Sequence, residues 1–306
     1  MKQSIAPKTR VRKKNFFKEY GPSYVMIAPS LIMFILFTIY PLIWVFSNAL
    51  FDTDGASYRD FVGLDNFIKM MTDKIWWNSV VTTLDIAVRQ MILQVPISLV
   101  LAAILNAKIR AKGFFRMAYY LPSVTSAAVM SLVFGFMFSP YNGVVNAVLK
   151  AVGIQTVDWM GNSNMARWAV SILAFWASFG QNVLIFLSGM QSISPEVYES
   201  ADLDGAGKVR QFFSVTLPLL APVLKTVLML ALIGSLKIME PVMIMTNGGP
   251  NHGTETMSLY IYNMFFSNST MPQYGYGAAL GIGATVVIGI ITAVYNLVSK
   301  KLDDIV

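Results

Sequence analysis

Cysteine is absent from the 306-residue sequence, which excludes disulfides, thiolate nucleophiles, iron–sulfur clusters and zinc–thiolate sites. Histidine is nearly absent: His252 stands alone, so metal catalysis and imidazole acid–base chemistry have almost nothing to work with, and His252 reads as a loop residue. No phosphate-binding loop is present, because such a loop needs Gly, four residues, Gly-Lys and then Ser or Thr. The nearest approach, Gly207-Lys208-Val209, lacks both the upstream glycine and the hydroxyl. There is no His-Glu-x-x-His and no nucleophile–base set, so the chain does not read as an enzyme. Charge is scarce too: 13% of residues are charged and 55% hydrophobic, against about 25% charged in a soluble domain. That imbalance makes lipid the solvent.

What is present is long apolar blocks. About 20 apolar residues cross about 30 Å of hydrocarbon, and six segments qualify: Tyr24–Leu50, Val80–Ala107, Met117–Phe138, Trp168–Met190, Leu217–Met245 and Tyr276–Ser299. The first contains an uncharged run of 27 residues, too long for a signal-peptide core, and reads as a retained span. With no internal repeat and no low-complexity linker, the chain divides into a basic tail (1–23), one six-helix membrane domain (24–299, including a loop at 191–216) and a short tail (300–306).

The net charge of +7 does not point to nucleic acid, since the basic residues cluster beside the apolar blocks. They set topology instead. The N-terminal tail carries seven Lys and Arg, and the segments on its side, 108–116, 191–216 and the C-terminal tail, add four, two and two, for fifteen; the opposite side has five. Positive residues are retained inside, so both termini are expected in the cytoplasm. The outer segment 51–79 ends in Trp76-Trp77, read as an interfacial anchor. Gly277 and Gly281 form a small-xxx-small spacing, read as helix packing.

Spans two and five are impure. Asp85 and Arg89, four apart, share a helical face and can neutralise each other. Span five holds Lys225, Lys237 and Glu240. Lys237 and Glu240, three apart on one face, either pair with each other or with a partner chain, or line an aqueous cavity.

One polar segment between spans four and five breaks the pattern. Ser194 is a good N-cap, Pro195 suits the first helical position and Glu196 complements the dipole. Gly205 and Gly207 then end the helix. A short helix too polar for lipid is placed to meet a partner or lies solvated.

Here the sequence resembles the membrane subunits of binding-protein-dependent ATP-binding cassette (ABC) importers, within them the maltose-type sugar permeases. Their hallmark, Glu-Ala-Ala, three residues, Gly, nine residues and Ile-x-Leu-Pro, becomes Glu199-Ser200-Ala201, Gly205 and Val215-Thr216-Leu217-Pro218, with spacing intact. Val62-Gly63-Leu64-Asp65-Asn66-Phe67, Tyr120-Leu121-Pro122 and Thr246-Asn247-Gly248-Gly249-Pro250 agree with the sugar branch. The likeness spans roughly residues 24–303.

The resemblance implies an all-α, polytopic fold of the type I importer class, with six transmembrane helices and a cytoplasmic coupling helix at 195–207. It implies residence in a prokaryotic inner membrane as one half of a pair with a second, related permease. A dimer of cytoplasmic ATPase subunits, which bind the ATP and Mg, and an extracellular or periplasmic binding protein that delivers a sugar would complete the assembly; no cofactor belongs to this chain. Glu199, Ala201, Asp204, Gly205 and Pro218 would serve coupling. The sugar path would run past Ser178, Gln181 and Asn182 of span four and Gly234, Ser235, Lys237 and Ile238 of span five, with Phe179 or Trp176 able to stack on a pyranose. The same polar residues could instead only bond neighbouring helices. A rival reading is an ion-coupled transporter using Asp85, Arg89, Lys237 and Glu240; against it, the two halves show no matching broken helices in the sequence.

Overall fold

The computed structural model describes residues 16–107, 111–267 and 272–303, with side chains between residues 20 and 300. The tail cations Lys2, Lys8, Arg10, Arg12, Lys13 and Lys14, and Lys108 and Arg110, lie outside the described residues. A first apolar helix, α1 (Tyr20–Asn48), is followed by a two-stranded antiparallel hairpin, β1 (Phe51–Thr53) and β2 (Arg59–Phe61), and by a short helix, α2 (Asp65–Thr72). Then come α3 (Lys74–Asn106), α4 (Lys112–Val124), α5 (Ala127–Met137), α6 (Val144–Ala151) and α7 (Ser163–Gln191). A polar helix, α8 (Pro195–Leu203), leads into α9 (Lys208–Leu219) and α10 (Ala221–Leu236). Helices α11 (Glu240–Met245), α12 (Met257–Phe266) and α13 (Tyr274–Asp303) complete the chain.

Four of these helices are long and apolar enough to span, and the bent pairs α4/α5 and α9/α10 bring the number to six. The bends, 95° and 70°, correct two expected straight spans. In the first, Pro122 cannot donate a helical N–H, and Thr125 and Ser126 turn to extended backbone. Backbone freed in lipid must still be satisfied, and local hydroxyls do it: Ser123 donates to Tyr120 O (2.6 Å) and Thr125 to Leu121 O (3.0 Å). In the second, the break falls at Leu220, ahead of Pro222, so the fifth span proper begins at Ala221 and Pro218 lies inside α9.

A further correction concerns the end of span five. The helix stops at Leu236; Lys237 caps it and Met239 leaves helical backbone, so Lys237 and Glu240 do not share a helical face. Pro241 is the cause, since a continuous helix would need its missing N–H to bond the Lys237 carbonyl. Thr256 Oγ1 donates to the Ile238 carbonyl (2.9 Å), satisfying a group the break exposes.

The central pair is α3 with α7, packed along most of their lengths. One apolar cluster at their 195–207 end gathers Ala102, Leu105, Val183, Phe186, Leu187 and Met190 with Val227 of α10. At the hairpin end, Trp76 packs with Met70, Met257, Tyr276 and Leu280. Trp76 is therefore 1% exposed and belongs to the core, whereas Trp77 is 41% exposed; the expected anchoring pair is split. Asp73 fixes this end. Its Oδ1 accepts from the Ile75 and Trp76 amides that open α3, and its Oδ2 from the Tyr260 (2.6 Å) and Tyr276 (2.5 Å) hydroxyls. Burial alone would raise its pKa, but these bonds outweigh burial and hold it below the usual carboxylate value.

Most of α1 presents its apolar side chains outward, and only its second half meets α13. Glycine permits close packing elsewhere. A Cβ on Gly180 would collide with the Tyr119 carbonyl, so this residue is what lets α4 cross α7. In the expected Gly277/Gly281 pair only Gly277 is close to a neighbour, with the Phe265 ring 2.9 Å from where a Cβ would stand, while Gly281 faces open space. Gly180→Ala is expected to lower the thermal unfolding midpoint of the detergent-purified protein, the strain costing about 1–3 kcal/mol, whereas Gly281→Ala leaves it unchanged. Equal midpoints for the two variants would contradict the α4–α7 contact.

Candidate functional site

Between α3, α7 and α10, midway along the central pair, lies a cavity of about 360 Å³. Gln90 and Gln94 of α3, Ser178, Gln181 and Asn182 of α7, and Gly234 and Ile238 supply much of its wall. Five of the seven residues expected on the sugar path, Ser178, Gln181, Asn182, Gly234 and Ile238, thus come together. Ser235 does not: it is buried and donates to the Leu232 carbonyl (2.9 Å). Lys237 is exposed and is not part of the wall. Neither aromatic candidate lines the cavity. Phe179 is packed among Tyr119, Phe175 and Trp176 in the core, at ring separations of 6.1, 5.2 and 5.6 Å.

Gln90 and Gln94 were missed by sequence reasoning. Their signal was a polar stripe at four-residue spacing, Gln90, Gln94 and Ser98, on one face of an apolar helix. Ser98 Oγ donates to the Phe179 carbonyl (2.9 Å), and Gln90 Nε2 donates to Gln94 Oε1 (2.9 Å) and Ser178 Oγ (3.2 Å). Two polar atoms of this region, Gln90 Oε1 and Asn182 Nδ2, are buried without a partner.

Toward the hairpin end, Asp85 and Arg89 form the expected pair, Nε to Oδ1 at 2.9 Å, and a third member joins them, Arg167 Nη1 to Asp85 Oδ2 at 3.0 Å. Every nitrogen of both guanidinium groups has a partner. Arg89 also donates to the Asn164 side chain (2.7 Å) and carbonyl (3.2 Å), and Arg167 to the Gly253 carbonyl (2.6 Å) and Thr82 (3.3 Å). The cluster ties α3 to α7 and pins the loop 246–256, which Asn78 also holds through the His252 carbonyl (3.2 Å). His252 does sit in that loop, with φ +56° and a hydrogen bond between its Nδ1 and Glu255 Oε2. No ion pair among the described residues involves Lys237 or Glu240.

At the opposite end α8 forms as its caps dictate. Ser194 accepts from the Glu196 amide, Pro195 opens the helix, and Asp204 closes it. Gly205 then takes φ +75°, with its amide bonded to Asp202 O (3.1 Å) and the Ala206 amide to Ala201 O (2.9 Å), a Schellman closure that only a residue tolerant of positive φ makes cheaply. Glu199, Asp204 and Gly205 are exposed and Ala201 half-buried on this helix. The loop is stitched by residues sequence reasoning did not single out. Buried Gln211 donates to Asp202 and to the Ala206 carbonyl (2.8 Å), Lys208 meets Asp202 at 3.1 Å, and Tyr198 shares a hydrogen bond with Thr216 (3.0 Å). The bonds from Gln211 and then Lys208 lower the Asp202 pKa. Beneath α8, a groove of about 1110 Å³ runs between the ends of α3 and α7 and the α8–α9 turn. Leu203 and Val209 beside it are 90% and 74% exposed.

The sequence profile of the family described as binding-protein-dependent transport system inner membrane component matches residues 94–306. A permease protein of the multiple sugar-binding transport system of Streptococcus mutans is 31% identical over 294 residues, covering 95% of this chain and 99% of that protein. The trehalose/maltose transport system permease protein of Thermococcus litoralis is 30% identical over 285 residues, covering 93% and 95%. Among solved structures, a chain of a bacterial ABC transporter that imports the acidic polysaccharide alginate superposes with a TM-score of 0.79 at 23% identity, covering 93% of this chain and 97% of that one. At that identity the likeness establishes the fold.

Asp85→Asn is expected to cost about 2 kcal/mol, because two partly buried guanidinium groups lose their shared carboxylate. The drop in unfolding midpoint should be smaller when Arg89→Gln accompanies it. An unchanged midpoint for the single variant would contradict a structural role for the cluster.

Proposed function

The chain belongs to the binding-protein-dependent transport system inner membrane component family, and on that premise we propose that it works as one permease half of an ATP-driven sugar importer. The observation that carries the reading is the joining of two sites by the same helices. Helix α7 forms a wall of the amide-lined cavity and runs directly into the turn before α8, and α10, reached through α9, forms another wall. A force applied to α8 therefore reaches two sides of the cavity.

In this proposal α8 docks in a cleft of a cytoplasmic ATPase subunit. Glu199 offers a carboxylate to a cation on that subunit, Ala201 and Gly205 permit close approach, and Leu203 supplies apolar area. Pro218 stiffens α9 between the docking helix and the bend at Leu220. The ATPase dimer binds the ATP and Mg and performs the hydrolysis; this chain transmits the resulting motion. A second, related permease closes the open side of the cavity, a binding protein delivers the sugar at the hairpin end, and both termini face the cytoplasm. The relatives are sugar permeases by name, and amide and hydroxyl groups suit the hydroxyls of a saccharide. Ion coupling through Asp85, Arg89, Lys237 and Glu240 has little support although two spans are bent: the first two residues belong to a structural cluster, and a helix break separates the last two.

Leu203→Glu, at a 90% exposed position that no fold contact needs, is expected to leave the permease in the membrane while reducing co-purified ATPase subunit and sugar uptake by at least about tenfold. Undiminished uptake would remove α8 from the coupling role. Because the sequence has no cysteine, topology can be mapped without background: a cysteine at Asp204 should react with impermeant maleimide only from the cytoplasmic side, and one at Ser57 only from outside.

A further inference from the structure

Helix α2 (Asp65–Thr72) has three faces where a helix at a protein surface usually has two. Its inner face is protein: Phe67 and Met70 pack in the cluster of Trp76 and Leu280, and buried Asn66 donates to the Ala49 (3.0 Å) and Phe51 (2.9 Å) carbonyls. A second face is polar, with Asp65, Lys69 and Thr72 exposed. The third is apolar and bare. Leu64, Ile68 and Met71, spaced four and three and therefore stacked on one side, are 63%, 62% and 61% exposed. Trp77, in the first turn of α3, extends this side, because its Nε1 donates to the Met71 carbonyl (3.0 Å) and so lays the indole beside the last turn of α2. Further along α3, exposed Val81, Val88 and Ile92 follow Trp77 at spacings of four, seven and four, one face of a spanning helix. The bare side of α2 is thus continuous with an apolar face that enters the membrane.

We propose that α2 is an interfacial helix, seated in the headgroup–acyl boundary of the leaflet at the hairpin end, with Leu64, Ile68, Met71 and Trp77 turned to lipid, Asp65 and Lys69 to water and Phe67 to the bundle. Depth agrees with this placement. The 33 residues of α3 rise about 50 Å, whereas the hydrocarbon is about 30 Å thick, so the first turns of α3 stand at headgroup level. Tryptophan settles there when its ring is in an apolar setting and its N–H has a partner, and the Met71 carbonyl is that partner. Lys74, exposed at the first position of α3, is at the level of the lipid phosphates. The patch itself keeps no hydrogen-bonding group in reserve: Leu64, Ile68 and Met71 offer none, and the Trp77 donor is taken. Such a surface gives a protein partner no polar contact to fix a register, but it meets what acyl chains require, and an apolar side set against a charged one is the pattern of helices that lie in the interface. Asp73, between α2 and α3, bonds to Tyr260 and Tyr276, so the lipid-seated helix steadies α12 and α13 as well. The inference does not depend on the cargo.

The test uses the assembled transporter in nanodiscs of phosphatidylethanolamine and phosphatidylglycerol, with any cysteine of the companion subunits replaced by serine; this chain has none. Single cysteines replacing Leu64, Ile68 or, at the hairpin tip, Ser57 carry the environment-sensitive fluorophore nitrobenzoxadiazole. Labels at Leu64 and Ile68 should emit further to the blue than the label at Ser57 and lose emission when the acyl chains are brominated. Bromine near the glycerol should quench them more than bromine near the chain end, as burial by about 5–10 Å requires. The Ser57 label should respond to aqueous iodide alone. Iodide quenching at Ile68 equal to that at Ser57, with no response to bromine, would overturn the inference. Shielding of Ile68 from both quenchers, whether in the resting transporter or after the binding protein is added, would assign this face to a protein partner and overturn it equally.

Discussion

Inside a bilayer, apolar side chains gain nothing by leaving lipid for one another, so helices are held by close packing and by polar groups that have no better partner. The α3–α7 pair is built on that constraint. Polar ties run along it, among them Asp85–Arg167, Gln90–Ser178 and Ser98 to the Phe179 carbonyl, and Gly180 lets α4 press against the same helix. The remaining elements are arranged around this pair, with the cavity at its middle, the pinned 246–256 loop at one end and α8 at the other.

The irregular backbone follows from a second constraint, that no carbonyl or amide is left bare in hydrocarbon. Two of the three breaks pair a proline with a hydroxyl: Pro122 with Ser123 and Thr125, and Pro241 with Thr256. The repairs couple distant segments. Thr256 bonds the Ile238 carbonyl at the cavity edge, and the next amide, Met257, donates to Thr83 of α3 (3.0 Å). Motion of the broken end of span five is thereby tied to the central pair and to the loop held by Arg167. That arrangement suits a bundle that must move in parts.

Polar groups in this molecule fall into two kinds by their bonding. Asp85, Arg89, Arg167, Asp73 and Gln211 are saturated within the chain and serve as struts. Gln90 Oε1 and Asn182 Nδ2 are buried without a partner in the chain, so bonding rather than residue type separates the two kinds.

Sequence alone determined the solvent, the number of crossings, and α8 with its caps, because hydrophobic length and the Ser194, Pro195 and Gly205 signals act within a few residues of chain. The Glu199, Gly205 and Pro218 spacing pointed to the family by resemblance. The sequence also carries Pro241 inside an expected straight helix, and the stripe Gln90, Gln94, Ser98 marks a polar face. Tertiary structure alone decided which polar residues are struts and which are free. Ser178 and Asn182 look equivalent on one face of α7, but Ser178 is claimed by Gln90 from α3 and Asn182 by nothing. Trp76 and Trp77 look like a pair, yet only one turns into the core. A side chain's remaining capacity depends on what another helix, some 90 residues away in sequence, brings to it, and periodicity along one segment contains no record of that neighbour.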